Sequence, residues 1–403
     1  MPQLNPTIKL EQELGQQIYQ ALQGSVVNAI LKSANDGSGN DYWRNRMEGH
    51  CMKVEEDILP DFYKLCQEVK QRLGFEEPVD FYVTGDSSIN AFSVASEEEG
   101  EPHIVNVNSA MFGLMSEDEL RFVVGHELGH IINKDTALKR LIYFVFPPEH
   151  IDPPMILAYK IRLHDQLAEL VADRYGFWAN GNLNACVSAF FKMASGLDFE
   201  KMNVSIEAYL ANNKKRLKYF LEGKGLNSYD HPVNPVRVEA IRLFATSGSE
   251  EALEKEMEDL IQCLLKIGNS PIDEHLAIFI ASAGLLVANA DDKVSEKEVE
   301  HILQHISGVK IFPTPFLDAI AKANVEQLFE QSVHIILTLE PAMRENLLAY
   351  VISLVISDKQ IANDEISFVY GFGKSLNFSE KEISQQFAAM IQRNFTPSFD
   401  AIC

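Results

Sequence analysis

Residues 116–133 form the segment that most constrains how this chain folds. It opens with Ser116, followed three residues later by Glu119, a pair typical of a capping box at the start of a helix. The residues that follow are largely apolar and helix-forming, and they include His126 and His130. On a helix, this spacing of four places both imidazoles on one face, from which they could bind one ion. The sequence therefore predicts a helix over this segment with a metal site on one face.

Glu127 directly follows the first of these histidines and completes a His-Glu-x-x-His pattern. In this pattern the carboxylate can reach a water on the ion rather than the ion itself. The chemistry implied is attack of a zinc-activated water on an amide carbonyl. A catalytic zinc site needs three protein ligands and one open position, so one further ligand must come from elsewhere in the chain.

The third ligand is predicted to be a carboxylate from a later helix. Asn133 and Thr136 occupy the positions at which an extended pattern would carry Gly and a third His, so that pattern is excluded. Glu169 and Asp173 are one helical turn apart on one face. Glu169 could bind zinc while Asp173 accepts a hydrogen bond from the far nitrogen of a ligand histidine. Taken alone, such a pair is more often two solvated helix acids, but its apolar neighbours and the upstream His-Glu-x-x-His favour the metal site.

Two other histidines are alternative ligands. His150 lies in the Pro-rich segment 147–154, where a rigid ligand is less expected. His164 lies about one and a half turns before Glu169, on a different face of the helix. Both are predicted to be surface residues rather than ligands.

Residues 126–130 and 169–174 resemble two motifs of the HtpX and CAAX-prenyl-protease family of zinc metallopeptidases. Asn90, Ala91 and Phe92 are similar to the Asn-Ala-Phe segment of that family, an edge strand beside the cleft. The resemblance implies a zincin-like domain with one Zn²⁺ per chain, held by the two histidines and the later glutamate. It also implies that an extended peptide pairs with this strand. The alternative is that Phe92 simply belongs to the core.

A further match lies near residue 231. His231-Pro232, with Arg237 five residues past the proline, is similar to the family's His-Pro-x-x-x-x-Arg. The resemblance implies that Glu127 is the general base and that His231 hydrogen-bonds the developing oxyanion. Arg237 would pair with Asp173 or with a substrate carboxylate. The alternatives are a turn histidine and a surface arginine.

The composition of the chain limits which binding partners and which cellular compartment we expect. The formal charge of −23 disfavours nucleic acid. The five cysteines are scattered, which is typical of a reducing compartment. The N-terminus lacks a signal-peptide pattern, and the longest apolar runs are shorter than the roughly 20 residues that a membrane span needs. We therefore expect a cytoplasmic protein without a transmembrane segment, acting on a peptide or protein rather than on a membrane-embedded prenylated substrate.

Hydrophobic periodicity predicts an α+β fold that is mostly α, with a small sheet in the metallopeptidase domain. It predicts helices at residues 9–34, 52–73 and 155–180, with short strands at residues 80–84 and 104–108.

The predicted domains are a metallopeptidase domain at residues 1–248, which begins with a helical segment at 1–50, then a linker helix at 249–269 and an all-α domain at 270–403. The last region contains a weak repeat, in which residues 291–299 align with residues 358–366.

The repeat resembles the TerB-like (tellurite-resistance) helical domain, which implies a module that binds another protein or regulates the first domain. Its acidic turns could bind cations, but they lack the twelve-residue Ca²⁺ loop with its central Gly and final bidentate Glu. Helix capping is the favoured explanation of these acids.

Together these features predict a zinc-dependent metalloendopeptidase with an appended helical interaction or regulatory domain. The alternatives are a latent or non-catalytic zinc-binding scaffold and a stress-linked adaptor defined by its C-terminal half.

Overall fold

The computed structural model describes residues 4–33, 40–96, 100–147, 153, 155–199, 201–221, 231–265, 271–288, 312, 316, 319, 320, 322–357 and 363–394. The chain divides into two compact units, Met1–Leu264 and Leu265–Cys403. The architecture is α+β and mostly α, as predicted from the sequence.

The described helices of the first unit are α1 Lys9–Ala21, α2 Gly24–Ser33, α3 Asn40–His50, α4 Pro60–Leu73, α5 Ala110–Leu114, α6 Glu117–Ile132, α7 Asp135–Val145, α8 Met155–Asn180, α9 Leu183–Ser195, α10 Ile206–Leu221, α11 Asn234–Thr246 and α12 Glu250–Leu264. Its strands are β1 Met52–Lys53, β2 Val79–Thr84, β3 Ala91–Val94 and β4 His103–Asn108.

The four strands form one mixed sheet in the order β1-β2-β4-β3. β2 and β4 run parallel in the centre, while β1 and β3 are antiparallel to their neighbours. All six residues of β4 are buried. The predicted strands at residues 80–84 and 104–108 are confirmed, each starting one residue earlier than expected. β3 lies at an edge of the sheet.

The prediction of one helix over residues 9–34 is wrong, because the chain forms α1 and α2 with a break between them. Gln23 adopts a left-handed conformation with φ of 50°. A side chain on Gly24 would clash with the ring of Tyr19, since an added Cβ would lie 2.3 Å from it. The break therefore depends on a local contact that hydrophobic periodicity does not register.

The predicted helix at residues 52–73 is also wrong at its start. Met52 and Lys53 instead pair with β2 as strand β1. Leu59 is left-handed with φ of 61°, and Pro60 is the first residue of α4. The predicted stop at Gly74 is confirmed, because this residue caps α4 with φ of 65°, a conformation that glycine adopts without strain.

The second unit is described through α13 Pro271–Ala288, α14 Val325–Leu339, a 3₁₀ turn Pro341–Met343, α15 Arg344–Ser357, α16 Asn363–Ser375 and α17 Glu380–Asn394. The first predicted repeat, residues 291–299, lies outside the described residues, as does most of the second. No helix in the described part of the chain is long and apolar enough to cross a membrane.

Candidate metal centre

Helices α6 and α8 carry most of the predicted metal site, and small residues let them approach closely. A Cβ added to Gly125 would lie 2.5 Å from the Cβ of Ala179, and one added to Gly176 would lie 2.7 Å from the backbone oxygen of Phe122. Both distances are shorter than real Cβ contacts, so these positions require glycine. The absence of side chains here brings the two backbones together and sets the distance between the residues they carry.

The N-terminal end of α6 is fixed by its own sequence. The Ser116 hydroxyl accepts a hydrogen bond from the backbone of Glu119, whose carboxylate accepts one from the Ser116 amide at 2.6 Å. This confirms the predicted capping box. The helix runs to Ile132, and α8 has the predicted bounds at residues 155–180.

His126, His130 and Glu169 converge between these helices. The Nε2 atoms of the two histidines are 3.2 Å apart, and they lie 3.6 and 3.5 Å from the two carboxylate oxygens of Glu169. Ligands at about 2.0–2.2 Å from a tetrahedral zinc ion lie roughly 3.3–3.6 Å from one another. The spacing and the donor types therefore fit a zinc ion with its fourth position open.

The buried environment of Glu169 also fits a cation. The residue is 5% exposed, and its Oε2 accepts no hydrogen bond from the described residues. Burial raises the pKa of Glu169, but the charges of Arg237, His130, His126 and His231 outweigh burial and lower it to about 2. The carboxylate is thus ionised, and its Oε2 is available to bind a metal ion.

Each metal-facing imidazole has a carboxylate at its other nitrogen. Nδ1 of His126 lies 3.0 Å from Oδ1 of Asp173, and Nδ1 of His130 donates a hydrogen bond of 3.0 Å to Asp135. Such contacts favour the tautomer whose Nε2 is free to bind a metal. Burial lowers the pKa of His130, but the hydrogen bond to Asp135 and the charge of Glu169 outweigh it and raise the pKa to about 9.

Asp135 is a site residue that sequence reasoning missed. It follows Lys134, which is left-handed with φ of 63° and turns the chain from α6 into α7. That turn brings the carboxylate back to the histidine five residues earlier. The only sequence signal was an Asp at the start of a new helix, which is common without any metal site.

Arg237 and Asp173 form a buried pair beside Glu169. Nε and Nη2 of Arg237 donate to the two oxygens of Asp173 at 2.9 and 2.6 Å. Nη2 also lies 3.3 Å from Oε2 of Glu169, without hydrogen-bond geometry. Burial raises the pKa of Asp173, but the charge and hydrogen bonds of Arg237 outweigh it, so the pKa is lowered. Of the sequence alternatives, a surface arginine and solvated acids are therefore wrong.

The remaining predicted residues meet at one cleft of about 390 Å³, which the metal-facing residues also line. Glu127 lines it and is 8% exposed. His231 is largely exposed, with Nε2 3.3 Å from Oε1 of Glu169. Asn90, Ala91 and Phe92 line it from the edge strand β3 and the residue before it.

Phe92 also packs against the ring of Trp43, with the centroids 5.2 Å apart. It lies against a small core cluster that includes Met47, Tyr82 and Ile104. The two alternatives for this residue, cleft and core, therefore both hold in part.

The prediction that His164 is a surface residue is wrong. It is only 3% exposed, and its Nε2 lies 3.0 Å from Oε1 of Glu11 on α1. Burial follows because α1 packs across this face of α8, a contact between distant segments that helical periodicity does not reveal. The other alternative ligand, His150, lies outside the described residues.

Comparison with known proteins points to peptidases. Residues 61–147 match the family model described as Peptidase family M48. A Protease HtpX homolog of Ralstonia nicotianae is 25% identical over half of this chain and 80% of its own length. A second HtpX homolog, of Trichormus variabilis, is 37% identical over 83 residues, which are 21% of this chain and 28% of its own.

The Plastoglobule-localized metallopeptidase 48, chloroplastic, of Arabidopsis thaliana is 23% identical over 58% of this chain and 68% of its own length. No solved structure matches the chain. Together these similarities support a relationship to the M48 metallopeptidases, whose metal is typically zinc.

Proposed function

We propose that the protein is a zinc-dependent endopeptidase that hydrolyses peptide or protein substrates. The observation that carries this proposal is the convergence of three zinc-type ligands at a cleft that Glu127 also lines. The Nε2 atoms of His126 and His130 are 3.2 Å apart, and each lies 3.5–3.6 Å from an oxygen of Glu169. A scaffold that only stored zinc would need the ligands but not a carboxylate beside them.

His126, His130 and Glu169 would hold the zinc ion, leaving one position open for water or substrate. When bound, zinc lowers the pKa of a water ligand and polarises the scissile carbonyl. Asp173 and Asp135 keep the two imidazoles oriented, and Arg237 balances the charge of the buried carboxylates.

Glu127 is the proposed general base. Its carboxylate takes a proton from the attacking water and returns it to the leaving amide nitrogen, which cannot depart as an anion. His231 is proposed to donate a hydrogen bond to the oxygen on which negative charge develops. Its exposed position at the cleft leaves the imidazole accessible to a substrate.

The edge strand β3 is proposed to bind the substrate backbone. It has β4 on one side and no described strand on the other, so its outer backbone groups can pair with an extended peptide. Recognition through backbone groups is tolerant of side-chain sequence. We therefore expect an unfolded or extended segment of protein as the substrate.

Glu127→Gln tests this mechanism. The variant should keep the zinc content of the parent, because Glu127 is not a ligand, while chelator-sensitive cleavage of a fluorogenic peptide library should fall about 10²–10⁴-fold. Glu117→Gln is the matched control, since Glu117 is exposed on the same helix, and it should cleave normally. Cleavage by Glu127→Gln at the parental rate would contradict the mechanism. A parent that binds zinc but cleaves nothing would favour the scaffold.

We also propose that residues 270–403 form a TerB-like helical module that binds another protein or regulates the peptidase, and that the protein works in the cytoplasm. The helical content of the second unit supports the first proposal. Cys51, Cys66 and Cys186 are free thiols, which suits a reducing compartment.

A further inference from the structure

A second cluster of metal-type ligands lies behind the first, and it begins with an acidic residue in an unexpected place. Glu11 occupies the buried face of α1 together with Leu14 and Ile18, and only 3% of it is exposed. A carboxylate at such a position is costly unless it is paired or binds a cation. The function proposed above does not use it.

Glu11 meets Asp135 from α7 and His164 from α8. One ligand atom of each residue lies within 4.8 Å of those of the other two, and all three residues are buried. Oε1 of Glu11 and Nε2 of His164 are 3.0 Å apart. Adjacent ligands around an ion at about 2.1–2.2 Å lie roughly 3.0–3.6 Å apart in octahedral or tetrahedral shells. The separation between Glu11 and His164 is already in this range, and the ligand atom of Asp135 lies within 4.8 Å of both.

The imidazole of His164 has room in this cluster because the neighbouring residue on α1 is a glycine. Gly15 lies one turn after Glu11 on α1, and a Cβ added there would be 3.1 Å from Nε2 of His164. The three residues line a cleft of about 470 Å³, which gives an ion a path from solvent.

One buried polar atom of the cluster lacks a partner, since Oε2 of Glu11 makes no hydrogen bond with the described residues. The nearby amide of Asn133 donates to Glu11 at 3.0 Å and to Asp135 at 2.7 Å, so a single NH₂ group bridges the two carboxylates. Unsatisfied buried atoms are uncommon in native proteins, and a bound ion is one established way of satisfying them.

We propose that Glu11, Asp135 and His164 form a second binding site for a divalent first-row metal ion such as Zn²⁺. Two carboxylates and one imidazole are a mixed oxygen and nitrogen donor set, which suits such an ion better than Ca²⁺ or Mg²⁺. The ion neutralises two buried negative charges and ties α1 to α7 and α8.

The second site is joined to the first through Asp135. One oxygen of this residue accepts the hydrogen bond from His130, while the other faces Asn133 in the second cluster. An ion at the second site therefore fixes the carboxylate that orients a ligand of the first. We infer that the second ion is structural and fixes helix α1 against the helices that carry the first site.

Metal counting on the full chain tests the proposal. Chelator-treated protein is loaded with Zn²⁺ alone, desalted, and its bound zinc measured by mass spectrometry. The parent should hold two equivalents, and Glu11→Gln should hold one. Glu13→Gln is the matched control, because Glu13 is exposed two residues further along the same helix, and it should hold two. Glu169→Ala should also hold one, since it removes the first site and leaves the second.

A Glu11→Gln variant that holds as many equivalents of zinc as the parent would overturn the second site. Loss of zinc from Glu11→Gln but not from Glu169→Ala would overturn the first site and leave the second standing, so the two proposals fail separately. If Glu11→Gln does not fold, Glu11→Asp provides the test. It keeps a carboxylate on a shorter arm, and its second equivalent should bind at least about 10-fold more weakly than in the parent. Unchanged affinity would overturn the proposal.

Discussion

Replacing Gly176 with alanine tests whether the close approach of α6 and α8 sets the geometry of the metal site. Gly176 lies outside the motifs that carry the proposed metal ligands, and it is two helical turns from Glu169 on α8. An added Cβ would lie 2.7 Å from the backbone oxygen of Phe122, which cannot rotate away. Ordinary contacts begin near 3.4 Å. The helices must therefore separate locally by about 0.7 Å, because the tightly packed interior leaves no other space.

This separation should weaken both folding and zinc binding. Overpacking costs about 1–3 kcal/mol, partly offset by the roughly 0.5–1 kcal/mol that alanine gains over glycine within a helix. The separations of 3.5–3.6 Å between Glu169 and the histidines already lie at the upper end of the zinc range. A site held about 0.5 Å too loosely should lose on the order of 10–100-fold in zinc affinity.

The assay is a zinc titration against a chromophoric chelator, with urea unfolding of the same samples. Gly49→Ala is the matched control, because Gly49 is exposed on α3 and an added Cβ meets nothing within 4 Å. It should bind zinc as the parent does and be no less stable. Parental zinc affinity in Gly176→Ala would refute the argument that helix spacing sets the site.

Three further predictions concern the surroundings of the site. Arg237→Gln leaves the carboxylate of Asp173 buried without its partner and should lower the free energy of unfolding in urea by about 3–5 kcal/mol. Arg242→Gln, which breaks a more exposed pair, should lower it by less than about 1 kcal/mol. Equal losses would contradict this account. Burial lowers the pKa of His164, but its contacts with Asp165 and Glu11 outweigh burial and raise the pKa to about 9, from about 6.5 in the unfolded chain. The contribution of His164 to the free energy of unfolding is therefore complete below pH 6.5 and declines up to pH 9. Urea unfolding in chelator should show this decline, which His164→Gln should reduce and which an unchanged profile would disprove. Deleting residues 265–403 should leave zinc content unaltered, as both clusters lie in the first unit; loss of zinc would show that the units depend on each other.

The local features of this site were predictable from the sequence. The helix around residue 125 follows from its capping box and apolar residues, and the spacing of His126 and His130 follows from the helical repeat. The carboxylates of Glu169 and Asp173 were identifiable from their apolar flanks together with the upstream His-Glu-x-x-His, because two acids one turn apart are by themselves more often solvated. In each case the relevant partners lie within about a turn of one helix, so chain order alone brings them together.

Features that depend on distant contacts were not predictable in this way. The strand at Met52 and the burial of His164 each require a partner from another segment. The break between α1 and α2 depends instead on a contact between Tyr19 and Gly24 that hydrophobic periodicity does not register. Nothing near Asp135 in the sequence indicates that a left-handed residue returns it to His130. The order of the strands, which places β3 at the edge beside the cleft, is likewise a property of the assembled sheet.

The sequence by itself determined which residues can bind a metal and which of them share a helix face, because those properties depend on residue type and on a repeat of 3.6 residues. Only the tertiary structure decided how far α6 stands from α8, which carboxylate supports which histidine, and that Glu11 enters the interior beside His164. The physical reason is that these distances are set by close packing between helices and by the pairing of buried charges. Both depend on groups that are far apart along the chain.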